Sequence, residues 1–347
     1  MDLLDFARHI PKVDLHVHLE GSIRPATLLK LAGRNHIRLP AEDEAGLQAF
    51  YQFHDFTQFI QVYMTITGCL RTVEDYYLAA YEFGHDCARQ NIRYAEVTFS
   101  ILTNVRLTGM PWQDILDGLN AGRAQARAEF GVDWRWVFDI VRDIPETQPF
   151  VLEAALAARD QGVVALGLGG SERGFPPRLF VDTFERARQA GLARVPHAGE
   201  HEGPDSIREA VELLHADRIG HGVRCIEDAA LVEMLRMRQI PLEICPTSNV
   251  RLGVYPDYAS HPLRRLWDAR GEFHRQLPIT VNSDDPAMFG TDLAHEYEVL
   301  VEYFGFTAHE LARISLNGVR FSFLPAHEKE QLEQEFRQEI SRLREMI

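Results

Sequence analysis

Cysteine is scarce and scattered. Four residues in 347 (Cys69, Cys87, Cys225 and Cys245) form no C-x-x-C pair. Neither a disulfide framework nor a cysteine-rich metal site is expected, and the thiols read as reduced, mostly buried groups of a cytoplasmic protein. Long hydrophobic runs are missing too: no stretch approaches the roughly 18 consecutive apolar residues of a membrane span. The opening MDLLDFARHIPKVDLHVHL has no basic segment leading into an apolar one, so no secretory signal is expected. Positive charge is in deficit. Against 51 acidic residues stand 36 basic ones, a formal net charge of −15. Such a surface repels phosphate backbones, which argues against a nucleic-acid partner. Small uncharged ligands remain compatible. Repeats, linkers and low-complexity segments are absent.

What is present is apolar material for one large core, 46% of the residues being hydrophobic. Short β-rich runs alternate with helical patterns almost throughout. Strands are expected at Val13–Leu19, Arg93–Ser100, Trp134–Val141, Val163–Gly169, Ala193–His197, Arg218–Gly222, Pro241–Cys245 and Ile279–Asn282. Most are nearly continuous apolar runs, as parallel strands covered on both faces require. Eight such strands separated by helices outline a (β/α)8 TIM barrel, a single domain over residues 1–347. A doubly wound sheet is the alternative, and the absence of a glycine-rich phosphate turn after any strand weakens it.

Additional helices are expected after strand 1 and at the C-terminus. The interval Arg24–Asn91 is too long for one helix, and its run FHDFTQFIQVYMTI (Phe53–Ile66) carries Phe56, Phe59, Ile60 and Tyr63 at helical spacing. That helix either faces the core or forms an apolar lid over the barrel mouth, where active sites of this fold sit. The charged amphipathic tail Pro325–Ile347 is expected to pack outside the barrel. The segment Arg270–Leu277 before the last strand carries no functional reading.

Four short patterns carry chemistry. His16 and His18 stand at i and i+2 of strand 1, so both imidazoles point the same way. With 15 histidines in the chain, chance gives on the order of 0.6 such pairs, so the pair means little without company. His197-Ala198-Gly199-Glu200 closes strand 5, and its plain reading is a polar loop. Gly220-His221-Gly222 closes strand 6, where His221 alone reads as a core histidine. Asn282-Ser283-Asp284-Asp285-Pro286 closes strand 8, and Asp-Asp-Pro is otherwise a common exposed turn. All four fall at the carboxyl ends of expected strands, which converge on one barrel mouth. Three histidines and a carboxylate there suit Zn²⁺. Val163–Gly170 contains no lysine to bridge two metals, so one ion is expected.

At these residues the chain resembles the adenosine deaminase family of the amidohydrolase superfamily. The matching segments are HVHLEGSIRP (16–25), GLGGSE (167–172), PHAGE (196–200), RIGHGVR (218–224), EICPTSN (243–249) and VNSDDPAMFGTDL (281–293). The resemblance implies that His16, His18, His197 and Asp284 hold one zinc ion, and that a 6-aminopurine nucleoside or base is the small-molecule substrate. It implies that His221 and Asp285 orient and help deprotonate a water beside the metal. Glu200 protonates N1, which requires a raised pKa. His18, Glu20, Gly170 and Asp285 surround the substrate, with the Gly170 N–H directed at N3. His-x-Glu with Pro-Cys-x-x-Cys, the signature of the cysteine-rich deaminases, is absent, and Cys245 reads as a core thiol.

Two positions depart from the family pattern. Glu20 stands where many adenosine-specific members have aspartate toward the ribose 5′-hydroxyl, and Ser171 replaces an acidic residue. QNIRYAEVTFS (90–100) and GLGGSERGFPP (167–177) are similar to the aminodeoxyfutalosine branch, whose substrate carries a bulky acyl aromatic group at that end. Adenosine stands first, aminodeoxyfutalosine second and adenine third. A non-deaminase amidohydrolase would lack reason to keep Glu200 and Gly170, and a non-catalytic nucleoside-binding protein would be expected to have lost a ligand or the acid.

Overall fold

A computed structural model describes residues 1–53, 55–269 and 276–347. Most of the Arg270–Leu277 segment lies outside the described residues. Eight parallel strands follow one another in chain order: β1 (Lys12–His18), β2 (Ile92–Phe99), β3 (Asp133–Val141), β4 (Val163–Gly169), β5 (Ala193–Ala198), β6 (Ile219–His221), β7 (Leu242–Ile244) and β8 (Ile279–Val281). Each boundary falls on or next to the expected residue. Every residue of β1 is buried, as are those of β6, β7 and β8, which explains why these strands lack an alternating pattern.

The barrel is closed by a residue beyond β8. Asp284 N–H donates to the His16 carbonyl at 2.8 Å, and His18 N–H donates to the Asp284 carbonyl at 2.8 Å. This bridge opposite Val17 stitches the end of the last strand to the first. It also fixes Asp284 between the two histidines.

The interval after β1 folds as a short 3-10 turn (Glu20–Ser22) and helices Pro25–Arg34, Glu44–Phe50, Phe56–Thr67 and Val73–Arg89. The last of these starts from a reciprocal capping box between Thr72 and Asp75. The C-terminal helix Ala326–Arg344 turns only Phe336 and Ile340 fully inward, consistent with the expected outer position. Helix Leu3–His9 ahead of β1 is too short to announce itself by periodicity. Among the described residues, no helix is long and apolar enough to cross a membrane.

Candidate active site and metal centre

His16 and His18 at the end of β1, His197 in β5 and Asp284 after β8 bring their ligand atoms within 4.8 Å of one another. The His16 ring centroid lies 4.5 Å from that of His197 and 5.6 Å from that of His18. Asp284 Oδ1 is 3.4 Å from Nε2 of both His16 and His18. Crowding these groups in a buried place is costly unless a cation or a full set of hydrogen bonds compensates. His16 Nε2 and His197 Nδ1 are buried and have no hydrogen-bond partner. The donor set therefore fits one borderline-soft divalent metal.

A buried network aims the quartet. His16 Nδ1 lies 2.9 Å from Glu243 Oε2. Glu243 is paired with Arg218, which also pairs with Glu96. A carboxylate on the outer nitrogen fixes the ring so that Nε2 faces the centre. Ser248 Oγ donates to Asp284 Oδ2 at 2.6 Å. Burial opposes charge on His16, but the nearby carboxylates of Asp284 and Glu243 outweigh it and push the imidazole up to about 10. Burial lowers His18 to about 4. Cys245 also lies near His221 and Asp284. Burial first, then Asp284, keeps its thiol well above the ordinary range, as suits the core thiol expected from sequence.

His221 and Glu200 stand beside the quartet. His221 Nε2 is 3.7 Å from Glu200 Oε1 and 3.8 Å from Asp284 Oδ2. Asp284 and His221 both have left-handed backbone, with φ of 63° and 59°, conformations that cost energy and cluster at functional sites. Asp285 is buried with Oδ1 unpartnered. Burial, then the charge of Asp284, holds its carboxyl well above the ordinary range. It fits only because residue 21 is glycine, since a Cβ there would stand 1.8 Å from Asp285 Oδ1.

The loop carrying Glu200 is held from below by Glu172. Its carboxylate accepts the backbone N–H groups of Gly199, Glu200, His201 and Glu202 at 2.8, 2.9, 2.7 and 3.0 Å, and the Ser206 hydroxyl at 2.8 Å. The expected raised pKa of Glu200 is not what this geometry gives. Burial pushes the carboxyl up, but His221 and His201, the latter with Nδ1 3.2 Å away, outweigh it and the pKa is lowered.

A cavity of 480 Å³ opens over this floor. Phe56, Phe59, Ile60, Tyr63 and Met64 of helix Phe56–Thr67 form one wall, while Leu102, Val141, Ile144 and Val151 line others. The helix serves both readings made from its sequence, because Phe59, Val62 and Ile66 are also buried. Gly170 lines the cavity with φ of 84°, and a Cβ would meet Asp143 Oδ1 at 2.3 Å, so only glycine suits. Glu20 is not among the lining residues. It is fully buried, and its Oε1 accepts from Ser100 N at 3.2 Å and Asn104 Nδ2 at 2.8 Å. Ser100 in turn donates to Asp139 Oδ1 at 2.9 Å, and both of these line the cavity.

Sequence reasoning missed Glu172, Glu243, Ser248, Asn249 and His261 as parts of the site. All but His261 lie within the matched segments. An acid at 243 between Leu242 and Ile244 was a readable sign, because a charge in a wholly apolar strand needs a partner. His261, outside every motif, gave none.

An eight-stranded barrel with histidines and a carboxylate converging at the carboxyl ends of its strands defines a TIM-barrel hydrolase of the amidohydrolase type. The family model for adenosine deaminase matches residues 11–339. The chain belongs to the adenosine deaminase family, and it is a hydrolase that deaminates adenine-type substrates. It is 40% identical over 341 residues to an aminodeoxyfutalosine deaminase of Streptomyces coelicolor, covering 96% of this chain and 85% of the relative. It is 38% identical to an adenine deaminase of Cupriavidus necator, covering 94% and 91%. A crystal structure of an amidohydrolase from Burkholderia ambifaria with bound Zn superposes with a TM-score of 0.89 at 27% identity, covering 100% of this chain and 95% of that one.

Proposed function

We propose that this chain is a cytoplasmic, zinc-dependent deaminase of a 6-aminopurine nucleoside with a bulky 5′ substituent, and that aminodeoxyfutalosine is its substrate. The observation that carries the reading is the 480 Å³ apolar cavity above the quartet. Pockets of about 300–1,000 Å³ suit drug-sized molecules, and a free base fills little of that range. Adenosine stood first from the sequence although Glu20 departs from the aspartate of adenosine-specific members, and here Glu20 does not line the cavity, its Oε1 accepting from Ser100 and Asn104 while its Oε2 has no partner. Arg106 also lines the cavity, and its planar guanidinium suits the face of an aromatic acyl group. The relative from Streptomyces coelicolor supports the same assignment.

His16, His18, His197 and Asp284 hold the ion in this reading. A zinc ion held by them would supply the positive charge that makes a water acidic enough, with a pKa toward about 7, to react at neutral pH. His221 and Asp285 orient the water against C6 of the purine, and Gly170 offers its N–H to N3. Glu200 delivers a proton to N1. A purine that displaces water and takes the place of His201 as the partner of Glu200 raises its pKa toward that task. Free adenine is the second reading, favoured by the Cupriavidus necator relative.

The test is kcat/KM for aminodeoxyfutalosine, adenosine and adenine on the same metal-analysed preparation. A preference of tenfold or more for aminodeoxyfutalosine is expected. A preference for adenine of the same size would transfer the protein to the second reading.

A further inference from the structure

His221 is tied to a buried chain of hydrogen bonds whose direction can be followed from a backbone amide. Leu263 N–H donates to His261 Nδ1 at 3.2 Å. An amide N–H can only donate, so Nδ1 bears no proton and the neutral ring carries its proton on Nε2. His261 is buried against Tyr255 and Phe304, with ring centroids 5.0 and 5.6 Å away. Burial lowers its pKa to about 3, so the ring stays neutral. His261 Nε2 lies 3.1 Å from Asn249 Oδ1. A donor there demands the amide oxygen, which turns the Asn249 amide nitrogen the other way. That nitrogen lies 3.3 Å from His221 Nδ1.

The polarity thus reaches the site. His221 Nδ1 accepts, and its ring proton sits on Nε2, the nitrogen that faces Glu200 Oε1 and Asp284 Oδ2. His261, Asn249 and His221 are 4%, 0% and 1% exposed, so solvent does not reset the chain. Asn249 is fixed at its backbone too, its carbonyl accepting from Val254 N at 2.9 Å and Tyr255 N at 3.2 Å.

We infer that His261 and Asn249 are positioning residues that lock His221 in its Nε2–H form, so that His221 enters deamination as a hydrogen-bond donor and not as a base. This rests on the reading of His221 as the residue beside the attacking water. It replaces the expectation that His221 helps deprotonate that water. Asp285, with a buried and unpartnered Oδ1, lines the same cavity. A fixed N–H donor costs no reorganisation as negative charge grows on the incoming oxygen.

The primary test is ring ¹⁵N NMR of the metal-loaded full chain labelled at histidine, with His221 assigned by substitution. A protonated Nε2 and an unprotonated Nδ1 are expected. A protonated Nδ1 overturns the inference whatever the enzyme's activity. Asn249→Asp keeps the shape and replaces the donor by an acceptor, so the His221 signals should change to the Nδ1–H form. The kcat should fall about 10²–10⁴-fold, the range for a misplaced catalytic proton, with KM and metal content retained. His261→Leu should lower kcat in the same way, and His261→Gln, which keeps a donor, should recover most of the loss. An Asn249→Asp enzyme with unchanged kcat contradicts the inference. Failure of the functional reading shows separately, as absence of ammonia from every 6-aminopurine offered to the unaltered chain.

Discussion

Replacing Glu172 by Gln tests whether one buried carboxylate holds the loop that carries Glu200. The native carboxylate takes four backbone N–H groups and one hydroxyl. Glutamine keeps the size but presents an amide NH₂ in place of one oxygen. If that nitrogen replaces Oε1, Ser206 can rotate its hydroxyl to accept, while Gly199 N–H is left facing a donor. One buried donor left unsatisfied costs about 1–3 kcal/mol. The three bonds remaining on Oε2 lose charge assistance, about 1 kcal/mol each. Together these give about 4–6 kcal/mol, a large share of the roughly 5–15 kcal/mol that separates folded from unfolded domains. Arg142, whose Nη1 lies 3.8 Å from Glu172 Oε1, loses its partner charge as well. The assay is urea unfolding of the metal-loaded protein together with kcat. A clear drop in the midpoint and at least a tenfold loss of kcat are expected, since the loop sets the position of Glu200. An unchanged midpoint with unchanged kcat would refute the reasoning.

Other expected outcomes follow from the same geometry. Glu200→Gln should retain metal and substrate binding and lose about 10²–10⁴-fold in kcat, because an amide gives no proton to N1; wild-type turnover would remove Glu200 from that role. Asp284→Ala should lose metal on elemental analysis, and full occupancy would point to another ligand. Arg106→Ala should raise KM for a substrate with an aromatic acyl 5′ substituent and leave adenine unaffected; equal effects on both would deny Arg106 that contact. Burial raises the Glu296 carboxyl to about 7. Its folded pKa exceeds the unfolded one, so its contribution is complete below about 4.5 and is lost as pH rises through about 7. Denaturation midpoints of Glu296→Gln should therefore depend less on pH across that window than those of the native chain, and parallel curves would contradict the assignment.

The barrel was legible because strands covered on both faces must be apolar along their length, as in VVALGLG of β4. The quartet was legible because His16 and His18 share one face of β1, and because strand ends of this fold meet at one mouth. What escaped were effects that depend on contacts without a period. Asn249 lies 28 residues from His221 and 12 from His261, separations that no helix or strand pattern encodes. The direction of the Glu200 shift depends on where the His201 ring turns, which adjacency in the chain does not fix. Glu20 was placed at the substrate only through the family resemblance, and the contacts of its Oε1 with Ser100 and Asn104, 80 and 84 residues away, are ones no local pattern encodes.

The central claim is that deamination depends on one zinc ion at His16, His18, His197 and Asp284. The direct measurement is ammonia release from aminodeoxyfutalosine as zinc is titrated back into chelator-stripped protein. Activity should rise linearly and stop at one ion per chain, with the stripped Asp284→Ala variant failing to recover. Full activity in stripped protein, or recovery in that variant equal to the native chain, would contradict the account.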